Sequence, residues 1–120
     1  MRCTCVVDDG EERRTMQWFW DAYLPNAETR TTITASPLNA SLAQLAGLPA
    51  ALIIVDENDV LRDEGEAYAR KLSQAGVCVT SVCYNGTVLD FLLLDSLSHT
   101  VPARSAMRQV TDALAAALHA

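Results

Sequence analysis

The chain has 120 residues, half of them apolar and a fifth charged, which suits one compact domain over 1–120 and is too short for two ordinary ones. Its 9 basic and 15 acidic residues give a net charge of −6, and the basic ones are scattered, which argues against nucleic acid or an anionic membrane as a partner. No apolar run approaches the roughly 18 residues of a membrane span, and the amino terminus has no apolar leader, so a soluble cytoplasmic protein is expected.

Residues 2–7, "RCTCVV", have the character of a short strand before the polar run "DDGEERR". In "TMQWFWDAYLP", Met16, Phe19, Trp20 and Tyr23 recur at helical spacing, predicting a helix over 15–24 that Pro25 stops. A polar, threonine-rich loop follows. "SPLNASLAQLAG" predicts a short helix over 39–46 with Leu38, Leu42 and Leu45 inward and Gly47 at its end.

"ALIIV" is a continuous apolar run, as expected of a strand (50–56) buried on both faces by covering helices. The segment after it predicts an acidic loop, then a helix over 63–75 opened by an Asp63–Glu66 capping box and closed by Gly76. "VCVTSVCY" supplies a further strand, 77–84, completing a right-handed βαβ crossover. After the Asn85-Gly86 turn and an apolar loop, Pro102 marks the start of a last helix, 103–118, with Met107, Val110, Leu114 and Leu118 as its buried stripe. The pattern is α/β, with two to three parallel strands flanked by helices.

The four cysteines, Cys3, Cys5, Cys78 and Cys83, match neither a paired C-x-x-C zinc site nor a small disulfide scaffold. They are expected as small buried hydrophobes, with no metal and no cofactor.

In open parallel sheets the reactive groups sit in loops at the carboxyl ends of strands. Here those loops carry Asp56, Glu57, Asp59, Asp63, Glu64 and Glu66 after one strand, and Asp90 after the next. Asp63, Glu64 and Glu66 fall in a first helical turn, where complementing the helix dipole is role enough. The loop lacks the EF-hand spacing of a calcium site.

"MQWFWDAYLPNAETR", "ASPLNASLAQLAGLPAALIIVDENDVLRDEGEAYARKLSQAGV" and "YNGTVLDF" together resemble the C-terminal part of the hormone-sensitive-lipase family of esterases, with "NDVLRDEGEAYA" the most specific stretch. The resemblance runs from about Met16 to the last helix and implies a truncated α/β-hydrolase fold. It also implies that Asp59 is the acid of a Ser-His-Asp triad, which holds the histidine tautomer and stabilises its imidazolium. In the family the histidine lies after the last strand, in a pattern like G-x-x-H-D-F; here Gly86-Thr87-Val88-Leu89-Asp90-Phe91 puts Leu89 in its place.

Leucine cannot take a proton. His99 lies ten positions later and His119 is the penultimate residue, both expected at the surface. The glycines, at 10, 47, 65, 76 and 86, bracket no serine as G-x-S-x-G, and no H-G-G-G oxyanion segment occurs. Cys83 would need a paired histidine or another environment that lowers its pKa, and the sequence offers neither nearby. A non-catalytic esterase-like domain with a structural or interaction role is the leading expectation. Its rivals are one half of a split carboxylesterase acting on small acyl esters, with serine and histidine supplied elsewhere, and a module that binds an acyl ester.

Trp18, Phe19, Trp20 and Tyr23 are many large rings for a small solvated surface, and in the family the matching region lies on the cap and substrate-access side. They fill a core, or they form an interface or pocket; burial of one ring contributes roughly 1.5–3 kcal/mol. A sheet so short also leaves an edge with unpaired backbone groups. Association is therefore expected, most simply as a twofold homodimer, or with a complementing hydrolase chain.

Overall fold

A computed structural model of the chain describes residues 9–119, so the strand expected at 2–7, with Cys3 and Cys5, lies outside the described residues. The chain divides into two compact units, residues 1–40 and 41–120.

The smaller unit contains helix α1, Asp9–Tyr23, which begins earlier than the aromatic spacing alone predicts. Glutamate and arginine are good helix formers, so the polar lead-in joins the helix. Beyond Pro25 the chain turns under the control of Arg30, whose Nε donates to Leu24 O at 2.7 Å and whose Nη2 donates to Asp21 Oδ1 at 2.8 Å. Ser36 Oγ in turn donates to Arg30 O at 2.6 Å. Trp18, Phe19, Trp20 and Tyr23 are exposed, Trp18 by 63% and Tyr23 by 74%, so these rings do not fill a core. Trp18 and Phe19 meet edge to face, 5.2 Å between centroids.

The larger unit starts with helix α2, Leu42–Leu45, shorter than the expected 39–46. A capping box explains its start: Ser41 Oγ accepts from Gln44 N at 3.3 Å, and Ser41 N donates to Gln44 Oε1 at 2.9 Å. Gly47, at φ +79°, follows its end in the left-handed region. Leu45 is buried, whereas Leu42 is exposed.

Strand β1, Ala51–Asn58, then helix α3, Arg62–Gln74, then strand β2, Val79–Val88, form the βαβ unit, with the strands parallel. Helix α4, Val101–Leu118, closes the unit, with Thr100 Oγ1 accepting from Ala103 N and proline in its first turn. The two helices lie on opposite faces of the sheet. Val55 meets α3 at Gly65, while its neighbour Ile54 packs against Phe91, Ala103 and Ala106 beneath α4, and successive side chains of a strand point opposite ways. The core is accordingly two-sided: Val55, Ala69, Leu72 and Val77 are buried, and so are Phe91, Ala103 and Ala106 on the α4 side.

Four expectations are corrected. The run "ALIIV" is half-buried except at Val55, because among the described residues β1 has a neighbouring strand on one side only. Cys78, just before β2, and Cys83 within it are exposed, since among the described residues β2 has a strand on one side only and many uncovered positions. The Asp63–Glu66 capping box is absent: α3 starts at Arg62 with no side-chain cap on its N-cap, Leu61. On α4 the buried residues are Ala103 and Ala106, with Val110 half-buried, whereas Met107, Leu114 and Leu118 are 48%, 57% and 72% exposed. The small alanines let the first half of α4 approach the sheet. Its second half is separated from the amino ends of both strands by an open groove of about 650 Å³, lined by Ala51, Leu52, Val79, Arg108, Asp112 and Ala117 among others.

Gly65 is what allows α3 to sit on β1, because a Cβ there would lie 2.7 Å from Val55 Cγ1. Gly65→Ala should therefore lower unfolding free energy by about 1–3 kcal/mol, as overpacking does. In urea titrations the cost should shrink when Val55→Ala is added, since that substitution removes the atom struck.

Candidate functional site

At the carboxyl ends of the strands the pairing changes register, from Asp56 opposite Tyr84 to Asn58 opposite Val88. Two extra residues are therefore taken up in β2 between Tyr84 and Val88, where Gly86 supplies φ +73°. The Asn85-Gly86 pair, expected as a turn beyond the strand, lies inside β2 at this irregularity. Since Asn58 and Val88 are partners, the residues that follow the two strands, Asp59 and Leu89, leave the sheet at the same end.

Asp59 is half-buried and its loop is tightly folded: Oδ1 accepts from Leu61 N at 2.7 Å, and its carbonyl accepts from Arg62 N at 3.2 Å. An acidic side chain thus closes the turn that launches α3, which the sequence assigned to a capping box further along. Arg62 Nη1 donates to Glu57 O at 2.9 Å, and its Nη2 lies 3.2 Å from Asp63 Oδ1. The side-chain hydrogen bond and the charge of Asp63 hold the guanidinium pKa above its ordinary value, so it is a fixed positive charge beside the Asp59 turn.

The second loop is anchored by Phe91, buried against Ala103 and Ala106, with Tyr84 5.6 Å away ring to ring. Between Leu89 and Phe91 the chain passes through Asp90 at φ +62°, a left-handed conformation in a residue other than glycine. Aspartate tolerates it better than most residues. Asp90 O then accepts from Leu93 N at 2.7 Å and Leu94 N at 3.0 Å, and Phe91 N donates to Val88 O at 3.1 Å. Leu89 is half-buried.

Two cross-links join the loops. Gly86 N–H donates to Glu57 Oε2 at 2.7 Å, and Asn58 Nδ2 donates to Thr87 O at 2.9 Å. The sequence had marked Glu57 only as one acid among several and had not marked Asn58; a polar pair ending an apolar strand was the only signal. His99 lies in the turn before α4 and His119 caps its carboxyl end, both exposed. Cys83 Sγ donates to Asn85 Oδ1 at 3.7 Å, an amide rather than a base. The arrangement therefore offers a carboxylate held in place by its own turn, with the apolar Leu89 starting the other loop at the same end of the sheet.

Residues 5–93 match the model of a family described as alpha/beta hydrolase fold, and the chain belongs to that family. A thermostable esterase from Pseudomonas putida ECU1011 is 58% identical, with a TM-score of 0.79 over 80% of this chain and 30% of that one. Brefeldin A esterase, a bacterial homologue of human hormone-sensitive lipase, is 37% identical, with a TM-score of 0.70 over 75% of this chain and 25% of that one. Among curated relatives, the gibberellin receptor GID1 of Oryza sativa subsp. japonica is 37% identical over 117 residues, 92% of this chain and 32% of the receptor. Ethyl acetate hydrolase of Pseudomonas putida is 37% identical over 86 residues, 72% of this chain and 26% of the hydrolase. The chain is thus an esterase-like α/β-hydrolase domain that spans about a third or less of these proteins.

The left-handed residue sets a requirement on the second loop. Asp90→Gly should leave thermal stability close to that of the parent chain, whereas Asp90→Val should cost about 1–2 kcal/mol, the penalty for a side chain crowded in that region.

Proposed function

We propose that these 120 residues are a non-catalytic esterase-like domain that works by association, with Asp59 a vestigial triad acid. The observation that carries this reading is that the apolar Leu89 leaves the sheet at the same end as Asp59, just after the Asn58–Val88 pair. A carboxylate can orient an imidazole and stabilise its charge, but it cannot stand in for the imidazole or for an attacking hydroxyl. The domain is proposed as cytoplasmic; no helix among the described residues is long and apolar enough to cross a membrane.

The preferred associate is a second copy of the chain, in a twofold dimer. Supporting it are the side of β1 that has no strand among the described residues and the exposed Met107, Leu114 and Leu118 of α4, each of which would contribute roughly 1–2 kcal/mol on being covered, since part of each is covered already. The exposed Trp18, Phe19, Trp20 and Tyr23 offer a further surface of the same character. A second reading is one part of a split carboxylesterase, favoured by the short share of each esterase that the chain matches. A third is a module that binds a small acyl ester, favoured by a receptor standing among the relatives beside the hydrolases.

The purified chain should release no p-nitrophenol from short-chain esters above the buffer rate, and Leu89→His should release none either, because the nucleophile is still missing. Turnover that disappears in Asp59→Asn would overturn the non-catalytic reading. Light scattering should give twice the chain mass at micromolar concentration; a monomer mass would remove the dimer and leave a complementing hydrolase chain as the associate to seek.

A further inference from the structure

We infer that Glu57 and Asn58 are positioning residues, a pair of side-chain bridges that fixes the loop of residue 59 against the loop of residue 89. The inference rests on the reading of Asp59 as an orienting acid. Each bridge runs from the end of β1 to the irregular end of β2: Glu57 Oε2 receives Gly86 N–H at 2.7 Å, and Asn58 Nδ2 reaches Thr87 O at 2.9 Å.

The pairing does only part of this work. Regular register ends at Asp56 and Tyr84 and resumes at Asn58 and Val88, so the backbone ladder is interrupted just before both loops leave the sheet. Across and beside that gap the side chains of Glu57 and Asn58 add two inter-strand bonds. The bridges are braced at both ends. Arg62 Nη1 holds the carbonyl of Glu57 at 2.9 Å from the α3 side. On β2, Thr87 is buried and its Oγ1 donates to Tyr84 O, which closes the bulged segment on itself.

A hydrogen bond to a carboxylate is among the stronger ones, and Glu57 directs its charge-assisted bond at the glycine whose left-handed backbone makes the bulge. With both bridges made, the separation of Asp59 from side chain 89 is set by the sheet. Without them it rests on the isolated pairing of Asn58 with Val88.

The test restores an imidazole as a reporter. In Leu89→His, the new histidine should titrate about one unit above the ordinary value of about 6.5, because an adjacent carboxylate favours the charged ring. The charged groups of the two loops are Glu57, Asp59, Arg62 and Asp63 on the β1–α3 side and Asp90 next to position 89. Adding Asp59→Asn should abolish the elevation; if it does not, the reading of Asp59 as orienting acid fails.

The bridge is tested separately. Glu57→Gln removes the charge but keeps an oxygen for Gly86 N–H, and should retain most of the elevation; Glu57→Ala should lose at least about half of it, the orientation of the pair being lost. Asn58→Ala should also reduce it while leaving every charge in place. NMR titration of the ring protons reads each value, and a melting curve confirms that each variant is folded. Equal losses in Glu57→Gln and Glu57→Ala, or no loss in Asn58→Ala, would overturn the positioning role while leaving Asp59 as the acid.

Discussion

The parallel pairing of Ala51–Asn58 with Val79–Val88 is the interaction on which the larger unit depends. It places α3 on one face through Val55 and Gly65, and the cluster of Phe91, Ala103 and Ala106 on the other through Ile54 and Tyr84. It also decides what lies at the carboxyl edge, because the residues that follow a paired position must leave the sheet together. Asp59 and Leu89 follow the last paired position, Asn58 with Val88, so the two loops leave the sheet at the same end.

The framework of this arrangement was legible in the residues. β-branched runs, glycines after helices and a proline at the last helix give β1, α3, β2 and α4 within a few positions. What the residues did not disclose is how far each apolar face is covered. Periodicity reports that Met107, Leu114 and Leu118 share a stripe, but not whether anything lies against it; the alanines at 103 and 106 make the closer contact. The cysteines follow the same logic: position on a strand is visible, and the absence of a further neighbouring strand among the described residues is not. The change of register was equally hidden, because two extra residues between Tyr84 and Val88 show themselves only once the partner strand is alongside.

At the site, the type of each residue was readable and its company was not. Asp59 and Leu89 were marked through a resemblance to esterases, and the register then brings them to one edge. Glu57 and Asn58 had no signal beyond polarity, since their partners lie about thirty positions along the chain. The second loop keeps its buried Phe91 and the left-handed Asp90 although Leu89 offers no chemistry. Architecture and reactivity are separable here: the loop's shape is enforced by packing and backbone conformation, and neither requires an imidazole.

The open side of β1 has a consequence for how the strand meets water. Ala51 N–H donates to Cys78 O at 2.9 Å, toward β2, and amides alternate in direction along a strand, so those of Leu52 and Ile54 face the other way. Among the described residues no strand lies on that side, so the outward amides should exchange with deuterium faster than the inward ones. Any extended segment of matching spacing that comes alongside finds a row of donors and acceptors already aligned.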